Sequence, residues 1–92
     1  MLNEMYKRVA MLDGVWQRDT ANADPFEESI LGLHEAATKL WLEAKRGSLM
    51  SETEKRVANV LIGGLVAAAR LGISDVESVM SERLRQLDRE KV

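Results

Sequence analysis

Few side chains in this sequence have the type and spacing that chemistry needs. There is no cysteine, which removes both a disulfide framework and a thiolate metal site. His34 is the single histidine. It lacks an acid or a second histidine at i+4, so it reads as a structural residue rather than a metal ligand or proton carrier. No nucleophile is paired with a base, and no zinc-type spacing is present. The adjacent Gly63 and Gly64 fall inside a helical pattern and do not form a phosphate-cradling loop. Arg83, Arg85, Arg89 and Lys91 gather near the C-terminus, where cations complement a helix dipole. Trp16 and Trp41 sit on or beside apolar stripes and read as packing residues, with stacking on a base as the functional alternative. Mixed clusters such as Glu4/Lys7/Arg8 and Glu52/Glu54/Lys55/Arg56 read as solvated helix faces.

Whatever chemistry exists must be positioned by helices. The run 57–69 reads VANVLIGGLVAAA, and twelve of its thirteen residues are apolar or glycine, with Asn59 the exception. A helix apolar nearly all round needs cover on most sides. It is too short to span a bilayer, which takes about 20 apolar residues, so a buried core helix is the expectation. Gly63 and Gly64 each cost roughly 1 kcal/mol of helix propensity, tolerable where a second backbone approaches closely.

Around this run the punctuation predicts four helices, at about 4–17, 25–46, 52–71 and 75–89. In the first, Asn3 is the expected N-cap, and Leu2, Met5, Val9, Leu12 and Trp16 share a face. A polar loop is expected over 18–23. The second opens on Asp24, Pro25 and Glu27, a capping box with proline at the first helical position. Its stripe is Phe26, Ile30, Leu33, Ala37, Leu40 and Ala44, and it stops at Gly47. Ser51 with Glu54, and Ser74 with Glu77, repeat the capping signature before the third and fourth helices, and Gly72 ends the third. Val76, Met80, Leu84 and Leu87 make the last stripe. Links of a few residues favour antiparallel neighbours, so the fold expected is an all-α antiparallel four-helix bundle.

Ninety-two residues form a single domain with only a few kcal/mol of stability. The apolar third helix then points to cover from a second chain, most simply a twofold homodimer with an interface on helix 3 and parts of helices 1 and 4. A net charge of −2 with interspersed signs is a poor match for nucleic acid. A basic stretch followed by an apolar run is absent near the start, so no signal peptide is expected. Together with the lack of cysteine, this favours a cytoplasmic protein with no membrane partner.

Two stretches carry a family resemblance. LHEAATKLW (33–41) and VANVLIGGLVAAARLGISDVESVMSERL (57–84) resemble the second, third and last helices of the MazG-like all-α nucleoside triphosphate pyrophosphohydrolases. The likeness covers roughly residues 28 to 87. It implies Mg²⁺ held by acids on two facing helices, Glu-Glu-x-x-Glu on one and Glu-x-x-Asp on the other, with the ion bridging a triphosphate and activating water. On this chain the first motif falls on His34, Glu35, Ala36, Ala37 and Thr38, where only Glu35 is acidic. The second falls on Arg56 to Asn59, with arginine and asparagine in place of acids. Glu35 would be a remnant metal ligand, and Thr38, Arg56, Asn59 and Arg83 ligand-binding residues, Arg83 facing phosphates. An Arg56–Glu35 ion pair standing where the metal would be is a further expectation. The resemblance so read implies a divergent member with a degenerate Mg²⁺ site and no cofactor, acting as a non-catalytic nucleotide-binding or assembly module. The alternatives are an active pyrophosphohydrolase, recruiting Mg²⁺ through Glu35 with Glu28, Glu43, Glu52 or Glu54, and a helical protein–protein adaptor outside the family.

Overall fold

The computed structural model describes residues 1–16, 24–47 and 49–90, with the backbone only at 15 and 16. The described residues form four helices and no strand: α1 (Leu2–Trp16), α2 (Pro25–Arg46), α3 (Met50–Leu71) and α4 (Val76–Glu90). The loop expected at 18–23, the Trp16 side chain and Lys91 lie outside them.

Helices α2 and α3 pack antiparallel as the central pair. Leu33 rests on Gly63, and further along Glu43 meets Arg56. The α2 seam is Phe26, Ser29, Leu33, Ala36, Leu40 and Glu43, each buried or half-buried. Its expected partners Ile30, Ala37 and Ala44 are exposed, one position round the helix. On α3 the seam is Arg56, Val60, Gly63, Ala67 and Arg70. A Cβ built at Gly63 would lie 3.2 Å from Leu33 Cδ1 and 3.5 Å from Leu33 Cα, so this glycine does admit a close approach. Gly64 meets nothing within 4 Å.

The helix ends follow local hydrogen-bond supply. Asp24 accepts from the backbone N–H groups of Phe26 (2.9 Å) and Glu27 (3.4 Å), with Pro25 at the first helical position. Gly47 and Gly72 take the left-handed conformation, φ 67° and 88°, and end α2 and α3. Beyond Gly72, Ile73 N–H returns to the Ala68 carbonyl, closing a Schellman turn. Two expected caps differ. Helix α3 starts at Met50, ahead of Ser51, because the tight link restores helical geometry early and the Leu49 carbonyl takes the first backbone bonds. At α4 the cap is Asp75 rather than Ser74. Its carboxylate accepts from the Ser78 N–H (3.1 Å) and hydroxyl (2.8 Å), a stronger acceptor than a serine hydroxyl.

Helix α1 lies against the C-terminal part of α3 and the start of α4. It buries Tyr6, Val9 and Asp13, while Met5 and Leu12 of the expected stripe are 63% and 46% exposed. Asn3, expected as a cap for α1, serves α4. Its amide donates to Asp75 Oδ1 (3.0 Å), its side-chain oxygen accepts from Glu77 N–H (3.2 Å), and its own N–H donates to Glu77 Oε1 (2.8 Å). Tyr6 adds a hydroxyl bond to the Ile73 carbonyl. Helix α4 then turns away from α3 through 110° and is exposed from Ser78 onward, so Met80, Leu84 and Leu87 are not buried as expected. No single helix among the described residues is long and apolar enough to cross a membrane.

The expected burial of α3 is not met within one chain. Among its described residues only Ala67 is buried, and Leu61 is 66% exposed. Four apolar residues (Tyr6, Val9, Ala67 and Val76) are the whole buried apolar set among the described residues. The chain presents 7285 Å² of surface, where a compact monomer of 10.3 kDa presents about 5,400 Å². Its radius of gyration is 15.0 Å, against about 12 Å for a compact chain of this length.

Two predictions follow from these contacts, measured by urea unfolding at one fixed protein concentration. Gly32 is helical and open, so Gly32→Ala stabilises by about 0.5–1 kcal/mol. Gly63→Ala returns less because Leu33 must give way, and Gly63→Leu loses about 1–3 kcal/mol. The second concerns pH. Asn3 lowers the Glu77 carboxyl below its ordinary 4.5, chiefly through its backbone N–H, with help from the Met1 amine. It also lowers Asp75 below 3.8, chiefly through its side-chain amide and then through Ser78. Both groups therefore stabilise the fold fully above those ordinary values and cease to do so as pH falls through their depressed ones. Alanine at position 3 keeps the backbone N–H that serves Glu77, so the stability gap between wild type and Asn3→Ala reports Asp75 and narrows as pH falls below about 4.

Candidate functional site

The residues expected to hold a ligand do not converge. Glu35 is exposed and pairs along its own helix with Lys39, Oε1 to Nζ 3.6 Å. Arg56 pairs with Glu43 (3.6 Å), not with Glu35. Glu35 stands eight residues from Glu43, about 12 Å along the helix axis, so the expected Arg56–Glu35 bridge is replaced. Thr38 donates its hydroxyl back to the His34 carbonyl at 3.0 Å. Thr38 and Asn59 share one height between the Leu33–Gly63 and Glu43–Arg56 levels, and both are exposed. Arg83 stands on the free part of α4, donating to Gln86 (3.1 Å) and 3.9 Å from Glu90. The other candidate acids are scattered. Glu28 lies near Arg70, Glu43 at the far end of the seam, and Glu52 beside Lys55 at 3.9 Å. Among the described residues no three His, Asp or Glu side chains stand together to hold a metal ion.

The strongest polar cluster was not legible as a site. Asp13 is 2% exposed and receives a fork from Arg70: Nε to Oδ2 at 2.9 Å and Nη2 to Oδ1 at 2.7 Å. Arg70 Nη1 donates to the Pro25 carbonyl at 2.7 Å. One guanidinium thus ties α1 and α3 to the start of α2. The Asp13 hydrogen bonds raise the Arg70 pKa above its usual value, against the opposing pull of burial. The available signal was an acid four residues after Val9 on the buried face of α1. With its donors spent on a carboxylate and a carbonyl, this cluster is a structural clasp.

A groove of about 480 Å³ lies between α1 and the α3–α4 turn, lined among others by Asn3, Tyr6, Lys7, Ala69 and Asp75. Asn3, Tyr6 and Asp75 already bridge helices there, so its polar groups do not converge on a ligand.

The unusual feature is the contrast between the two faces of the α2–α3 pair. Stepping one residue forward from each seam position turns 100° on both helices, and because they are antiparallel both sets reach the same face. That face carries Ile30, His34, Ala37, Trp41 and Ala44 from α2 and Val57, Leu61, Gly64, Ala68 and Leu71 from α3. These ten residues include no Asp, Glu, Lys or Arg, but the step from Phe26 adds Glu27 at one end, and Lys45 Nζ lies 4.5 Å from the Trp41 ring centroid. Trp41 is 57% exposed, Leu61 66% and Leu71 61%. Stepping back one residue gives the opposite face, with Glu28, Glu35, Lys39, Lys55 and Asn59 beside the apolar Leu42, Ile62 and Val66, and its Ala69 end is shared with α1. The resemblance-derived positions Glu35 and Asn59 therefore sit on the charged face, and the apolar face is uncovered. No protein-family model matches this chain, and no curated protein or solved structure matches it.

The clasp sets a testable cost. Asp13→Ala leaves the Arg70 guanidinium without its carboxylate and destabilises the chain by about 3 kcal/mol. Glu35→Ala, which removes only an exposed pair, changes stability by less than about 0.5 kcal/mol. Chemical denaturation of the two variants side by side checks both.

Proposed function

We propose that this protein is a non-catalytic assembly module that works by presenting the apolar face of its α2–α3 hairpin to another protein. The observation that carries this reading is that face itself. Its middle is free of charged residues, with Glu27 at one end and Lys45 over the Trp41 ring, and no other described helix covers it. Apolar patches of this extent on a soluble domain mark interaction surfaces.

The MazG-like resemblance enters the proposal as scaffold. The antiparallel pair remains, while the positions that would carry its acids hold His34, Thr38, Arg56 and Asn59 beside the surviving Glu35. A single exposed Glu35 already paired with Lys39 is a weak Mg²⁺ ligand, since a hard cation needs several oxygens. Nucleotide binding has less support than assembly, because Thr38 bonds its own helix and Arg83 stands on a separate arm.

The test is direct. The purified chain is incubated with common and modified nucleoside triphosphates and Mg²⁺ or Mn²⁺, and pyrophosphate release is followed. The expected rate equals the protein-free blank, unchanged in Glu35→Ala. Turnover that disappears in Glu35→Ala overturns the proposal in favour of an active pyrophosphohydrolase.

A further inference from the structure

Resting on the assembly reading, we infer that the partner on the apolar hairpin face is a second copy of this chain, docked about a twofold axis. Two α2–α3 hairpins then form a four-helix core that neither chain builds alone.

Three features converge on this occupant. The first is area. The chain carries roughly 1,900 Å² more surface than a compact monomer of its mass, while a stable interface takes about 800 Å² from each partner. One hairpin-on-hairpin contact is of the right size to remove a large part of that excess. The second is charge. A twofold contact places each surface against itself, so any net charge on the patch would meet its own kind. The middle of this face has no Asp, Glu, Lys or Arg, its charges being Glu27 at one end and Lys45 over Trp41, whereas the opposite face sets Glu28, Glu35, Lys39 and Lys55 along its length. The third is relief. Large side chains stand at the two ends, Ile30 beside Ala68 and Trp41 beside Val57. In the middle Gly64 stands level with His34 and Ala37 with the 66% exposed Leu61, so small and large side chains alternate across the face, and a Cβ at Gly64 would meet nothing in its own chain. Alternating small and large side chains let two helical pairs interdigitate about a twofold axis.

This places the interface differently from the sequence expectation. Helix 3 is retained, α2 is added, and α1 is excluded because it lies on the far side of the pair. The apolar stripe of α4 is not needed for the contact.

Sedimentation equilibrium of the intact chain measures the mass directly. The expected species is a dimer of the 10.3 kDa chain, and Leu61→Arg raises its dissociation constant by at least ~100-fold while circular dichroism keeps its helical signal. Leu84→Arg on α4 and Lys39→Cys on the charged face leave the dimer intact. An independent variant covers the case in which Leu61→Arg fails to fold. The chain has no cysteine, so Ala37→Cys introduces a single thiol near the centre of the face. A short bismaleimide links Ala37→Cys into covalent dimers and leaves Lys39→Cys as single chains. A wild type that stays a single chain at about 100 μM, a concentration far above the dissociation constants of standard interfaces, overturns the second-copy inference. So does a dimer that Leu84→Arg dissociates and Leu61→Arg does not. Either result leaves the absence of turnover untouched, whereas nucleotide turnover would defeat the assembly reading and leave the measured mass standing.

Discussion

Leu33 lies on the backbone of α3 at Gly63, and that contact sets both the separation and the register of the two long helices. A Cβ at 63 would press on Leu33 Cδ1 at 3.2 Å, so that side chain would have to shift, and a larger side chain there would push the two helices apart. The seam is narrow. It uses small or half-polar residues (Ser29, Ala36, Gly63, Ala67), so it gains closeness at the expense of buried area. Dispersion between well-fitted backbones compensates in part, since each close carbon pair contributes about 0.1–0.2 kcal/mol. A seam that buries so little on its own leaves the large apolar side chains of both helices outside it.

The third helix to join the pair does so through charge. A carboxylate as buried as Asp13 is costly unless its oxygens are met, and Arg70 meets them with a planar fork. Because the same guanidinium also reaches Pro25, the position of α1 is coupled to the start of α2. The far end of α1 is fixed separately, by Asn3 and Tyr6 on the α3–α4 turn. α1 is thereby pinned at both ends on the charged side of the hairpin, and the apolar side is left without a helix of its own.

Much of the architecture could be read from residues, and its failures have a common cause. Asp24–Pro25 and the two glycines at 47 and 72 mark ends that depend on purely local geometry, and these were legible. Ser51 and Ser74 were good local caps that lost to neighbours. A short link let the Leu49 carbonyl start α3, and Asp75 offered a charged acceptor one residue on. Asn3 looked like a cap because nothing in a one-dimensional pattern reveals α4 folding back on it. The stripes were correct in period but off in phase, by one residue on α2 and again on α1, where Tyr6 and Asp13 replaced Met5 and Leu12. A helix with apolar residues on two adjoining stripes gives no phase of its own; the neighbour decides. The candidate site was legible only through resemblance, and a register that pairs Arg56 with Glu43 could not be seen without the second helix in place.

The breadth of the apolar pattern on α2 and α3 has a simple physical meaning once the seam is known. One stripe on each helix serves the intramolecular contact, and on the stripe 100° away Trp41 meets only Lys45 of its own helix over its ring. Side chains such as Trp41 and Leu61 would each release water from well over a hundred square ångströms of surface if covered, of order 2 kcal/mol apiece. Leaving several of them wet in a domain with four buried apolar residues among those described would place the chain near the edge of stability. The surface that looks superfluous for folding one chain is therefore the surface most able to stabilise an assembly. With a second copy on that face, as proposed, folding of the hairpin and occupation of the face would be a single coupled equilibrium.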